Sequence, residues 1–181
     1  MEQLAKELHK PIIKKFEKRR VEVNHIDETF GADLADMNYW KEYNNKYRNI
    51  LTVIDIFSKF AWAIPLKTKT GKEVTEAFET IFKHRVPENL WVDRGKEFYN
   101  STLNTLLKKH NINIYSTFGD HKSAVVERFN RTLKGRMQKE FTSSNRSTFI
   151  WLPLIPKLLK EYNSSRHSTI KMSPIKASLK A

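Results

Sequence analysis

The sequence of 181 residues contains no cysteine. Disulfides, thiol catalysis and every Cys-containing zinc site are thereby excluded, and a reducing, intracellular setting is expected. No run approaches the roughly 20 apolar residues that a membrane-spanning helix needs. The opening MEQLAKELHKPIIKKFEKRR has no apolar core of the kind a secretory signal requires, and its acids argue against a transit peptide. Internal repeats and low-complexity tracts are also missing. Acidic residues are scarce in one region only: residues 101–181 hold 15 basic residues against 4 acidic ones, whereas residues 1–28 and 29–100 are each within one charge of balance.

What is present is a globular composition with a strong positive excess. Hydrophobic residues make up 39% and aromatics 12%, enough for a core and too much for an intrinsically disordered chain. The length predicts one domain. A formal net charge of +13 points to a polyanionic partner, nucleic acid above all, and its placement predicts docking on the C-terminal 81 residues.

Leu4, Leu8, Ile12 and Phe16 form a helical stripe broken at Pro11, so residues 1–24 read as a helical or linker segment. Strands are predicted over 29–37, 48–57 and 61–67, the last with Pro65 at an edge or end. MNYWKEYNNKYRN makes the turn between the first two. An amphipathic helix follows Thr70-Gly71, then a short strand over 89–93 and a helix over 101–110 capped by Asn100 or Ser101. A fifth strand over 112–116 leads through a Gly-containing loop to a long basic helix over 123–141. A further helix is expected over 148–162, then an irregular tail. Three strands followed by alternating helix and strand imply an α/β fold: a mixed five-stranded sheet flanked by helices, in the order of the ribonuclease H-like fold.

Three acids stand where chemistry is plausible. Asp33 lies inside the first strand, Asp93 ends the fourth, and Glu127 lies in the first turns of the basic helix, with 59 and 33 residues between successive members. A carboxylate in an apolar strand needs a partner, and converging carboxylates repel one another. Two Mg²⁺ ions, which take carboxylate oxygens, would satisfy both demands and could bracket a phosphodiester. Against this, each acid alone also reads as solvent-facing, turn-forming or dipole-favoured. Asn130, Arg131 and Lys134 follow Glu127 at helical spacing on its own face. Lys122, Arg128, Asn130, Arg131, Lys134 and Arg136 are the candidate DNA contacts, most of them to phosphates, which position a duplex without reading its sequence.

The segments GADLADM, VIDIFSKFAWAIPLKTKTG, WVDRGKEF and AVVERFNRTLKGRM together resemble the catalytic core of the retroviral integrase superfamily. Among its branches the chain is most similar to integrases of Polinton/Maverick-type DNA transposons and related transposon-derived genes. The resemblance covers residues 25–175, leaving 176–181 as a tail. It implies that Asp33, Asp93 and Glu127 are the catalytic and metal-binding acids. It further implies two Mg²⁺ or Mn²⁺ ions, 3′-end processing and strand transfer into target DNA, and a homodimer or higher oligomer. The chain departs from the family pattern at Arg94-Gly95, where Asn-Gly or Ser-Gly is usual, and in a last spacing of 33 residues where 35 is commoner. With neither a Cys-containing zinc module nor a C-terminal module in view, a bare core, an excised fragment or a truncated element copy is expected. Localisation is expected to be nuclear or with DNA in the cytoplasm.

Other residues read more plainly. Asp55, in the second strand, is expected to be structural. Asp36 faces away from Asp33 by strand parity. Glu97 could support Asp93, and His121 could touch DNA. The four tryptophans are expected in core or interface. The rival to an integrase or transposase (a polynucleotidyl transferase with associated endonuclease activity) is a non-catalytic DNA-binding or assembly module. A purely hydrolytic nuclease of the same fold is a third reading.

Overall fold

The computed structural model describes residues 22–116, 124–143 and 149–179. Strands β1 (Thr29–Asp36), β2 (Asn49–Asp55) and β3 (Ala61–Leu66) form an antiparallel meander. Strands β4 (Asn89–Trp91) and β5 (Asn113–Tyr115) add to it in parallel, giving the order β3-β2-β1-β4-β5. Helix α1 (Gly71–Phe82) connects β3 to β4, and α2 (Ser101–Lys109) connects β4 to β5. Then come α3 (Ala124–Ser143), α4 (Leu154–Ser164) and the single turn α5 (Pro174–Ala177). This is the ribonuclease H-like arrangement expected from the element order.

Each element follows from local chemistry. All seven residues of β2 are buried, because a central strand is covered on both faces. Pro65 sits in β3, an edge strand, where a missing N–H costs no ladder bond. Helix α1 buries Val74, Ala77, Phe78, Ile81 and Phe82 along one stripe and begins at Thr70, whose hydroxyl accepts from Glu73 N. Asn100 caps α2 through its side-chain oxygen, 2.9 Å from Leu103 N.

Two cores sandwich the sheet. Phe30, Ala32, Leu51 and Val53 meet α1 and α2 on one face. On the other, Ala35, Ile50 and Ile54 meet Phe129, Leu133 and Met137 of α3 and Ile155 and Leu158 of α4. Strand alternation thus gives Phe30, Ala32 and Leu34 to the first face, and Asp33 and Ala35 to the face under α3. That parity decides which helix Asp33 can reach.

The structure differs from the sequence expectation at several points outside the strands. The turn between β1 and β2 contains a 3₁₀ segment, Asn38–Tyr43. Helix α4 starts at Leu154, six residues later than expected. Residues 149–152 are held instead by Asn44, whose Nδ2 donates to Trp40 O (2.7 Å) and Phe149 O (2.9 Å), while its Oδ1 accepts from Trp151 N (2.8 Å) and Leu152 N (3.0 Å). The tail contains α5, capped by Ser173 with Pro174 at its first position. The helix expected over 3–20 lies outside the described residues.

Candidate active site

The β1–β4 register places the two aspartates. Thr29, Phe30 and Gly31 pair in parallel with Asn89, Leu90 and Trp91. Carried two residues further, the same register sets Asp33 level with Asp93, on chains that run about 5 Å apart where paired. The paired rungs of β4 stop at Trp91, short of the strand expected through Asp93, although Val92 N still donates to Tyr115 O at 3.2 Å. Beyond it the chain turns: Asp93 Oδ1 accepts from Gly95 N at 3.0 Å, an Asx turn that orients the carboxylate. The Glu97 carboxylate folds back over this turn. A Cβ at Gly95 would lie 2.5–2.8 Å from its three terminal atoms. A second carboxylate therefore borders the Asp93 turn.

Helix α3 lies over the same face. Its apolar stripe, Val126, Phe129, Leu133, Met137 and Phe141, is buried against the sheet and α4, which fixes its rotation. The flank next to β1 carries the polar residues. Asn130 Nδ2 donates to Asp33 Oδ2 at 2.8 Å, and Lys134 Nζ reaches Asp36 O at 3.0 Å. Leu34 N donates to Asp33 Oδ1 at 2.9 Å. The Asp33 carboxylate is thus held from both oxygens. Asn130 Oδ1 is buried and has no hydrogen-bond partner. Glu127, in the first turn of α3 and half-buried, makes no hydrogen bond or ion pair among the described residues.

Among the described residues no three of His, Cys, Asp and Glu are gathered as a group that could hold a metal ion. The donor chemistry nevertheless fits a hard divalent cation. Asp33 and Asp93 are level on adjacent chains, the Glu127 carboxylate has no partner among the described residues, and an orphaned buried amide oxygen belongs to Asn130, which holds Asp33.

The remaining candidates separate clearly. Lys122 and His121 lie outside the described residues. Arg131 is exposed on α3. Arg128 and Arg136 are not beside the acids but line a cavity on the opposite flank of α3. Asp36 is exposed at the end of β1 and caps the next turn through Asn38 N at 2.7 Å. Asp55 is fully buried and structural. Its Oδ2 accepts from Arg85 Nη2 (2.7 Å) and the Ser58 hydroxyl (2.5 Å), while Arg85 also pairs with Asp27 at 2.5 Å. Phe30, Phe60 and Trp62 surround that guanidinium with ring centres 5.3–5.6 Å away. Trp91 and Trp151 are buried; Trp40 and Trp62 pack against the cores. Glu97 as a neighbour of Asp93 was legible from its spacing. The cavity beyond α3 was not, because its lining comes from three separate segments.

Residues 31–117 match the family model of the integrase core domain. An uncharacterised transposon-derived protein of Caenorhabditis elegans is 35% identical over 141 residues, which span 77% of this chain and 49% of that protein. A Ty1 Gag-Pol polyprotein of Saccharomyces cerevisiae is 30% identical over 113 residues, 58% of this chain and 6% of the polyprotein. The chain thus spans about half or less of the curated relatives it matches. Among solved structures, the HTLV-2 integrase catalytic core domain in complex with magnesium superposes with a TM-score of 0.69 at 18% identity, covering 85% of this chain and 97% of that one. A simian T-cell lymphotropic virus intasome, in complex with PP2A regulatory subunit B56 gamma, gives 0.77 at 16% identity, covering 93% and 61%.

Proposed function

We propose that this chain, which carries an integrase core domain over residues 31–117, is the catalytic core of a DNA integrase or transposase of the aspartate, aspartate, glutamate superfamily. The observation that carries the reading is the parallel β1–β4 register, which sets Asp33 level with Asp93 on the sheet face covered by the helix bearing Glu127.

In this reading Asp33, Asp93 and Glu127 hold two Mg²⁺ or Mn²⁺ ions. When bound, such ions polarise the scissile phosphodiester and stabilise charge on the attacking and leaving oxygens. The protein supplies the rest. The Asn130 amide and the Leu34 N–H fix both Asp33 oxygens, and the Gly95 N–H fixes Asp93. These bonds hold the carboxylates in place ahead of ligand binding, and such preorganisation is where most of a site's advantage lies. Glu127, with no side-chain partner among the described residues, can turn toward the aspartates. Lys134 and Arg131, on the same helix, take non-bridging phosphate oxygens. Water first opens a phosphodiester at the element's end and leaves a 3′-hydroxyl. That hydroxyl then attacks a target phosphodiester, forming one P–O bond, breaking another and releasing a new 3′-hydroxyl. No covalent protein intermediate is needed.

The partners in this reading are transposon ends, target DNA and a second copy of the chain. The core extends over residues 25–175, and the element is of the Polinton/Maverick type. The protein acts in the nucleus or wherever its DNA lies in the cytoplasm. No helix among the described residues is long and apolar enough to cross a membrane.

A branched oligonucleotide that mimics the strand-transfer product tests the reading, since resolving it reverses the joining step. With Mn²⁺ the wild type should release the unbranched strands, and Asp93→Asn should not. A second reading, a DNA-binding relic without chemistry, is favoured by the lack of three gathered acids among the described residues. Folded wild type that retards DNA yet yields no product with Mg²⁺ or Mn²⁺ would establish it.

A further inference from the structure

A cavity of about 510 Å³ lies across α3 from the acids, between α3, the β2–β3 turn and the loop that follows α4. Lys59, Arg128, Arg136 and Arg166 contribute four cations to its lining, with His167 beside them and no acidic residue among the described residues. Arg128 has no ion pair among the described residues, and Arg136 meets Glu161 only at 4.0 Å. Ser168 and Thr169 also line it, whereas the Thr132 hydroxyl is spent on Arg128 O at 2.9 Å. Cations and hydroxyls without carboxylates form the donor set that phosphate oxygens require.

The lining is built rather than incidental. Ala124, Arg128, Thr132 and Arg136 recur at four-residue spacing, so one stripe of α3 faces the cavity while the flank bearing Asn130 and Lys134 faces β1. The loop after α4 is pinned. His167 N donates to Met172 O and Lys171 N to His167 O, both at 2.9 Å, and Arg166 Nε donates to Lys171 O at 3.1 Å. Lys59 sits in a left-handed turn (φ 61°), its Nζ on Ile56 O at 2.5 Å. The groups also crowd one another. Burial, then the charges of Lys59 and Arg128, hold the His167 imidazole below its ordinary value, and burial lowers Lys59 despite Asp55. An anion would relieve that crowding.

We propose that this cavity is a second anchor for the DNA backbone, seating a phosphate on the far side of α3 from the reacting phosphodiester, with Arg128 and Arg166 as its principal ligands. The proposal rests on the DNA-joining reading for its ligand and on the cavity for its chemistry.

Arg128 and Arg166 are exposed, so Arg128→Gln/Arg166→Gln should fold. Binding of a 20-base-pair duplex is measured in EDTA, where the acids hold no cation, across a salt series. Each neutralised phosphate contributes about 0.9 to the salt slope, so losing the anchored phosphate in the double variant should cost about 1 unit of slope and about tenfold in affinity. Arg128→Lys/Arg166→Lys should retain the slope. In a parallel amide-shift titration, DNA should move the resonances of His167 and Thr169. An unchanged slope in a folded Gln variant would overturn the proposal. So would His167 and Thr169 shifts produced by inorganic phosphate but not by DNA, which would assign the cavity to a free phosphate ligand. Because these readouts need no turnover, they can fail while the joining assay succeeds, and the reverse.

Discussion

At the scale of the residue, acids of one type do opposite work in this sheet. Asp33 and Asp93 are half-exposed and oriented by amide donors, Asp33 within β1 and Asp93 just beyond the end of β4. Asp55 is fully buried and consumed by Arg85, Ser58 and the Phe57 N–H. Removing one partner of a buried pair strands the other charge. Asp55→Ala should therefore cost about 3–5 kcal/mol of stability. Asp93→Asn, which preserves the Oδ1 acceptor for Gly95, should cost under about 0.5 kcal/mol. Urea unfolding of both variants checks this. A large loss in Asp93→Asn would make that residue structural and remove it from the site. The sequence distinguished the two acids by position alone, since an acid in an all-apolar strand end reads differently from one before Arg-Gly. It could not name Arg85 as the partner, which is 30 residues away and arrives through α1.

At the scale of the element, α3 is positioned by what it buries and used for what it does not. Its apolar stripe fixes its rotation over β1 and β2, so Asn130 and Lys134 fall beside β1 while Arg128 and Arg136 fall beside the β2–β3 turn. The helical spacing of Glu127, Asn130, Arg131 and Lys134 put them on one face already in the sequence, whereas the direction of that face came only with the packing. The start of α4 was not legible, because Asn44 claims residues 149–152 from more than 100 residues away. Asn44 is 1% exposed and makes four hydrogen bonds. Asn44→Ala should strand buried backbone groups and cost on the order of 3 kcal/mol. Differential scanning calorimetry reads this as a lower Tm. Hydrogen exchange should rise first at Trp151 and Leu152, whereas uniform exchange along the chain would show that Asn44 does not hold this segment locally.

At the scale of the whole molecule, fold and charge agree on one working face. A mixed five-stranded sheet flanked by helices was readable from the order of the elements, because a meander followed by strand–helix alternation has few compact solutions. The basic excess of residues 101–181 includes α3 and α4, which cover the face that also carries Asp33. In the proposed reading, DNA attracted by the charge of α3 and α4 would be delivered to the acids rather than to α1. The cavity beyond α3 escaped the sequence reading because Lys59, Arg128 and Arg166 meet only once the β2–β3 turn, α3 and the loop after α4 are packed together. The account stands or falls on whether the three carboxylates act as one unit. Single-turnover joining of a pre-cut DNA end, with Mg²⁺ at saturation, should be measured for Asp33→Asn, Asp93→Asn, Glu127→Gln and the triple variant. Groups that act together lose their effect together, so each single change should slow joining by at least about 100-fold and the triple change should be little worse than any one. A folded single variant within a few-fold of wild type, or losses that multiply in the triple variant, would contradict the shared site.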